Sequence, residues 1–104
     1  MAAKRPRMLT LSAKESLILE LLTHHQEMYG LQMVAASRRR LKRGTVYVTL
    51  GRMEEKGYIT SRLEDAPPEA GGLPRRLYEP TALGRRVLSV WTDAGHLLMP
   101  ELAR

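Results

Sequence analysis

Residues 44–57 read GTVYVTLGRMEEKG, the pattern of a short helix with two different sides. Val46, Leu50 and Met53 recur at i, i+4 and i+7, which predicts a buried stripe, and Gly57 is expected to end the helix. The opposite flank combines short and basic side chains and is therefore predicted to face solvent. Its members are Thr45, Val48, Thr49, Arg52 and Lys56.

A dense run of positive charge lies directly before this helix. Between positions 38 and 43 the only uncharged residue is Leu41, which we expect to anchor a turn in the core. The five cations are Arg38, Arg39, Arg40, Lys42 and Arg43. The whole chain has 17 lysines and arginines against 11 acids, a formal net charge of +6, and this balance favours a polyanionic partner.

Two helices are predicted upstream of the basic run. Ser12 with Glu15 three residues later has the capping-box spacing and is expected to begin the first helix, which continues through the apolar residues 17–22. Leu19 lies off the main stripe, so a second surface is expected to cover it. After a break at Met28-Tyr29-Gly30, the apolar spacing in residues 31–37 predicts the second helix. Its inward side chains are predicted to be Leu31, Val34 and Ala35.

Two strands are predicted after residue 57. Residues 58–64 and 75–79 show strand-like alternation, and the segment 65–74 between them is rich in the turn formers proline and glycine. This predicts a two-stranded wing with a long loop, and Arg75 and Arg76 lie at its returning base.

A last helix is predicted after Thr81, which can cap it. Apolar residues recur at near-helical spacing over several turns, and the helix is too apolar to stand alone, so it needs a covering surface, which a partner chain could supply, as it could for Leu17 and Leu19 of the first helix. The apolar positions are Leu83, Val87, Val90, Trp91, Ala94, Leu97 and Leu98.

This order of elements predicts a mainly α protein with a small two-stranded β-wing, a winged helix-turn-helix. A plain three-helix bundle is the alternative. We expect a basic N-terminal arm over residues 1–11, a winged domain over residues 12–80 and a C-terminal dimerisation helix over residues 81–104.

Other function classes are poorly supported by the composition. There are no cysteines, and His24 and His25 are adjacent, so on a helix they diverge and form neither a catalytic nor a metal-binding pattern. We therefore expect no enzymatic activity, no cofactor and no metal. No apolar run approaches the ~20 residues needed to cross a bilayer, so a cytoplasmic protein that does not bind membranes is expected.

Several motifs together resemble the PadR family of bacterial transcription regulators. They are Tyr29-Gly30, the stretch GTVYVTLGRMEEKGYI from Gly44 and the stretch RRLYEPTALGRRVL from Arg75. The resemblance implies a homodimeric winged helix, usually a repressor, whose C-terminal and first helices form the dimer interface. The short C-terminal part is similar to the compact branch of the family. Lys42-Arg43 and Val48 depart from the family pattern, which has a frequent proline where Val48 lies.

Double-stranded DNA is therefore the expected partner, with the helix beginning near Gly44 in the major groove. Arg52 is the candidate for a bidentate contact to guanine, with Thr45 and Thr49 near thymine methyl groups or phosphates. The alternative is that Arg52 and Lys56 pair with Glu54, Glu55 or other neighbours. The cations of residues 38–43 are expected to neutralise phosphates, and Arg75 and Arg76 could let the wing reach an adjacent groove or strand.

Three questions stay open on the sequence alone. The resemblance implies that the Tyr47 hydroxyl points to the DNA backbone, whereas a tyrosine beside a core stripe can simply pack there. Trp91 could stack on a small planar effector, although interface packing is the commoner role of such an aromatic residue. Low-specificity architectural DNA binding and a protein-interaction module remain alternatives to sequence-specific regulation.

Overall fold

The computed structural model describes residues 10–64 and 74–98, with side chains through residue 93. These residues form four helices and three strands, in the order α1, β1, α2, α3, β2, β3, α4. The helices are α1 (Ala13–His25), α2 (Gly30–Ala36), α3 (Arg43–Glu55) and α4 (Ala82–Leu98), and the strands are β1 (Met28–Tyr29), β2 (Ile59–Glu64) and β3 (Arg75–Pro80). Residues 1–9 of the predicted arm, most of the predicted 65–74 loop, and the side chains of Ala94, Leu97 and Leu98 lie outside the described residues.

Helix α1 begins with the predicted capping box. The Ser12 hydroxyl accepts the Glu15 amide at 3.1 Å, and Glu15 Oε1 accepts the Ser12 amide at 2.8 Å. Such a cap contributes about 1 kcal/mol. Leu11, which the sequence analysis assigned to the arm, is instead buried and packs in the core.

The sheet has three strands, one more than predicted. Both neighbouring pairs are antiparallel in the order β1-β3-β2, and the additional strand pairs Met28 with Tyr78 and Tyr29 with Leu77. The predicted wing is formed by β2 and β3. The third strand was missed because two residues are too few to show alternation, so the segment was interpreted as a simple break.

Helix α2 is rotated relative to the prediction. Leu31 and Ala35, predicted to face inward, are exposed, and Val34 is only partly buried. The buried line is Gly30, Met33 and Ser37 instead. Because a helix of two turns shows its apolar period only once, polar Ser37 and small Gly30 were not recognised as inner positions.

Helix α4 packs on the rest of the fold through a backbone contact. A Cβ atom at Gly84 would lie 2.1 Å from the Tyr58 carbonyl oxygen and 3.1 Å from a methyl group of Leu19. As predicted, Thr81 caps α4, since its hydroxyl accepts the Gly84 amide at 3.0 Å, and it also donates to the Gly57 carbonyl at 2.6 Å. Helix α4 can therefore lie close only because residue 84 has no side chain.

Three residues predicted at the dimer interface are part of the protomer's own core. Leu19 has no exposed surface, and Leu17 and Val87 are also buried. The second surface expected over Leu19 is thus supplied by α4 of the same chain, at Gly84. Periodicity marks Leu19 as covered on a second side, but it does not specify which element covers it.

An ion pair joins the start of α1 to the end of α3. Lys56 Nζ lies 2.9 Å from Glu15 Oε2 and 3.1 Å from Oε1, and the Glu15 side chain is only 5% exposed. The same carboxylate accepts the Ser12 amide of the capping box. One buried carboxylate therefore stabilises both a helix cap and a contact between two helices.

We expect Glu15→Gln and Lys56→Met each to lower the free energy of unfolding by about 1–2 kcal/mol, because a hydrogen-bonded charge loses its partner. In a double-mutant cycle by urea denaturation, the two changes should couple by about 1 kcal/mol. Glu20→Gln, at an exposed glutamate of the same helix, is the matched control and should change little. Additive effects of the two substitutions would contradict the pair.

Two glycine-to-alanine substitutions should have opposite effects on stability. Gly84→Ala forces a Cβ into the Tyr58 carbonyl and should destabilise by about 1–3 kcal/mol or more, whereas Gly51→Ala, at an α3 position where a Cβ would meet nothing within 4 Å, should stabilise by about 0.5–1 kcal/mol. Thermal denaturation of both variants tests this. Equal melting temperatures would contradict the close approach at Gly84.

Candidate nucleic-acid interface

Helix α3 presents one side to the core and the other to solvent. Val46, Leu50 and Met53 are fully buried, as the sequence predicts, while Val48 and Arg52 are exposed on the outer side. The helix begins at Arg43, one residue before the predicted start. Since one side is held by the core, the orientation of the outer side is determined by burial.

The basic turn before α3 is held by two buried residues. Leu41 is buried, as predicted, and its amide donates to the Ser37 hydroxyl at 2.9 Å. Arg38 and Arg39 have φ angles of 55° and 73°, left-handed conformations that non-glycine residues adopt at a cost. The backbone thus departs from its preferred geometry where the charge density is highest. All five cations of the turn are exposed, namely Arg38, Arg39, Arg40, Lys42 and Arg43.

The positive charges beside α3 are not neutralised by salt bridges within the described residues. Within residues 10–64 and 74–93, the salt bridges join Lys56 to Glu15, Arg62 to Glu27 and Arg75 to Glu64. Neither the cations of the basic turn nor Arg52 take part in them. The predicted alternative, in which Arg52 pairs with Glu54 or Glu55, is therefore absent from the structure, and its guanidinium can bind an external acceptor.

Lys56 differs from the other predicted DNA contacts. Its ammonium is bound by both oxygens of Glu15 and lies 5.5 Å from the centre of the Tyr58 ring. Its sequence position on the outer flank gave no indication of this partner, which lies 41 residues earlier. The structure therefore assigns Lys56 an internal contact that fixes the end of α3.

A shallow groove runs between α3 and the start of α1. It encloses about 590 Å³ and brings together four of the predicted contact residues, Thr45, Thr49, Arg52 and Lys56. Ser12, the N-cap of α1, and Lys14 and Glu15 of its first turn form the opposite wall. Lys14 was not predicted at this site, and its charge in the first turn of α1 was the only signal in the sequence. The groove adds a positive charge beside the outer face of α3.

Tyr47 packs on the start of α2 and remains half exposed. A Cβ at Gly30 would lie 2.6 Å from Tyr47 Cε1, so the tyrosine ring covers a glycine that has no room for a side chain. With Arg75 and Arg76 the ring also lines a cleft of about 420 Å³. The Tyr47 ring is thus packed on one side and exposed on the other. The structure is compatible with both interpretations, packing beside the core and a hydroxyl that points to the DNA backbone.

The loop end of the β2–β3 pair is held by a small polar cluster. The Tyr29 hydroxyl donates to Glu64, and this hydrogen bond raises the Tyr29 pKa above its usual value. The Arg75 guanidinium lies 4.4 Å from the centre of the Tyr29 ring and 3.9 Å from Glu64, whereas Arg76 donates to the Ser61 hydroxyl at 3.0 Å. Both arginines stay exposed, but part of the Arg75 charge is balanced within the wing.

The apolar stripe of α4 emerges from the core toward its C-terminal end. Val87 is buried, while Val90 and Trp91, on the same side of the helix, are 62% and 45% exposed.

No helix within the described ranges is both long and apolar enough to span a membrane. In the same part of the chain, no three histidine, aspartate or glutamate side chains are grouped to hold a metal ion.

The family comparison and the solved structures point to the same family. A model of the transcriptional regulator PadR-like family matches residues 18–90. No curated protein sequence matches well enough to count as a relative. Among solved structures, a PadR family transcription regulator from Clostridium difficile R20291 is 27% identical with a TM-score of 0.69, and covers 85% of this chain and 92% of that one.

Two further structures share the fold. A PadR family transcriptional regulator from Eggerthella lenta is 26% identical, with a TM-score of 0.71 and coverage of 86% of this chain and 77% of that one. Bacillus subtilis PadR, solved in complex with operator DNA, is 22% identical with a TM-score of 0.67, covering 76% of this chain and 46% of that one. The family match spans most of the chain, and the resemblance inferred from its motifs is confirmed: the protein belongs to the PadR-like family of transcriptional regulators.

Proposed function

We propose that this protein binds double-stranded DNA and regulates transcription, with the outer side of α3 in the major groove. The observation that carries the proposal is that Arg52 on the exposed side of α3 and the five cations of residues 38–43 before it form no salt bridges within the described part of the chain. A helix of this size fits the major groove, and arginine is the commonest reader of guanine there. Double-stranded DNA is the partner that this surface suits, and a DNA-binding regulator of this kind would act in the cytoplasm.

The contacts would divide into two classes. Arg52 would bind guanine O6 and N7, with Thr45 and Thr49 beside it. The cations of the basic turn, Tyr47, Arg76 and the part of the Arg75 charge that Glu64 leaves unbalanced would bind phosphates. Lys56, held by Glu15, would orient α3 without contacting DNA. Bacillus subtilis PadR, which shares the fold, was solved in complex with operator DNA, and this supports DNA as the partner.

We further propose that the protein acts as a homodimeric repressor on a palindromic site. The exposed Val90 and Trp91 continue a stripe that is buried at Val87, so a second copy of α4 is the natural cover for this face. A two-fold dimer would place two α3 helices about 34 Å apart, one turn of B-DNA. Trp91 would pack in that interface, where it could also stack on a planar effector.

Sequencing of DNA fragments retained by the purified protein tests binding, symmetry and selectivity together. We expect a motif with two-fold symmetry. In a titration against selected and random duplexes at two salt concentrations, binding to random DNA should fall steeply with salt because it depends on phosphates. Equal affinity for both duplexes at each salt concentration would favour architectural binding, and no binding at low salt would contradict the DNA-binding proposal.

Arg52→Ala should weaken binding to the selected duplex by about 1–3 kcal/mol and change binding to random DNA much less. Arg40→Ala, at an exposed arginine of the basic turn, should weaken both duplexes similarly because it removes a phosphate contact. Fluorescence anisotropy on the two duplexes measures this ratio. If Arg52→Ala affects both duplexes equally, Arg52 does not read a base.

Val90→Glu should shift the protein from dimer to monomer, because it places a charge in the proposed apolar interface. Ser89→Glu is the control, since residue 89 is an exposed position on the opposite side of α4 and should leave the dimer intact. Sedimentation equilibrium of both variants and the wild type measures the association state. A wild-type protein that is monomeric throughout would contradict the dimer.

A further inference from the structure

Val48 lies on the outward side of α3, on the same line as Glu55 two helical turns later. At about 100° per residue it lies nearly opposite the buried line of Val46, Leu50 and Met53, and 56% of its surface is exposed. Its isopropyl group therefore contributes little to the core. Valine is also a weaker helix former than alanine, because its branched side chain loses rotamer freedom in a helix. The protein's own stability does not explain a valine here.

The neighbours of Val48 on this outward line carry no side chains. Gly44 lies four residues before Val48 and Gly51 three residues after it, the spacings at which helix positions are adjacent. A Cβ at either glycine would meet nothing within 4 Å. The Val48 side chain therefore protrudes from this line, and a surface that approaches α3 from outside meets it before the helix backbone.

The side chains beside this line are polar or charged. Thr45, Thr49 and Arg52 lie to one side of Val48 on the helix surface, and Arg52 forms no salt bridge in the described part of the chain. An apolar tip among hydrogen-bonding groups matches one kind of base edge. Thymine alone presents a methyl group in the major groove, beside its O4 acceptor and the donor and acceptor of the paired adenine.

We propose that Val48 reads the 5-methyl group of a thymine in the operator and so determines specificity together with Arg52. This inference rests on the proposed DNA-binding function and deepens it. Contact between the isopropyl group and the methyl group removes both from water, which is favourable by about 0.8 kcal/mol per buried carbon, or about fourfold in affinity. Arg52, one helical turn away, would read guanine in a neighbouring base pair.

Thymine and uracil differ only by this methyl group, so uracil substitution tests the contact without changing hydrogen bonding. Each thymine in one half of the selected duplex is replaced in turn by deoxyuridine, and the Kd is measured for the wild type and for Val48→Ala. For the wild type, we expect one position at which uracil weakens binding about fourfold. For Val48→Ala, thymine and uracil at that position should bind equally.

Leu63→Ala is the matched control, because Leu63 is an exposed aliphatic residue on β2 (58% exposed) and lies outside α3. It should keep the wild-type uracil penalty. The melting temperature of Val48→Ala should equal or exceed that of the wild type, which separates lost recognition from lost folding.

Each other outcome has a defined meaning. If the wild type prefers the selected duplex but tolerates uracil everywhere, the Val48 contact is wrong and the DNA-binding proposal stands. If Val48→Ala keeps the uracil penalty, another side chain reads the methyl group and the assignment to Val48 is overturned. If the wild type binds no duplex at all, the proposed function fails and this inference fails with it.

Discussion

Burial of one side of α3 determines where the other side points. Val46, Leu50 and Met53 have almost no exposed surface, and burying a side chain of this size contributes about 1.5–3 kcal/mol. A rotation of α3 that turned Arg52 inward would expose these three residues and bury a charge, so both changes oppose it. The helix has a single apolar stripe, and one orientation is therefore far more stable than any other.

The two ends of α3 are held by contacts of different kinds. Near the start, the Tyr47 ring covers Gly30 of α2 with no room for another atom. At the end, Lys56 binds Glu15, whose carboxylate also closes the cap of α1. Steric fit at one end and a shared buried carboxylate at the other set the position of α3 relative to both preceding helices.

Charge is distributed unevenly over the exposed surface. In the wing, Arg75 lies beside Tyr29 and Glu64, so part of its charge stabilises the strands. In the basic turn no such partners are present among the described residues, and Arg38 and Arg39 adopt left-handed conformations. The positive charge that attracts a polyanion is therefore concentrated beside the start of α3, the helix that we propose binds DNA.

Most of the helices and both long strands could be predicted because their signals are local. The Ser12 cap, the Thr81 cap and the spacing of Val46, Leu50 and Met53 each involve residues within two helical turns. Prediction failed where the signal was too short to repeat. A strand of two residues and a helix of two turns contain too few positions to establish a period.

The candidate site also has one part that could be predicted from local sequence and another part that could not. The exposed face of α3 and the cations before it follow from residue spacing, because a helix places every residue at a known angle. The partner of Lys56, the cover of Leu19 and the close approach at Gly84 depend on residues brought together from distant parts of the chain. Only tertiary packing decided these, since a sequence pattern shows that a position must be covered but not which element will cover it.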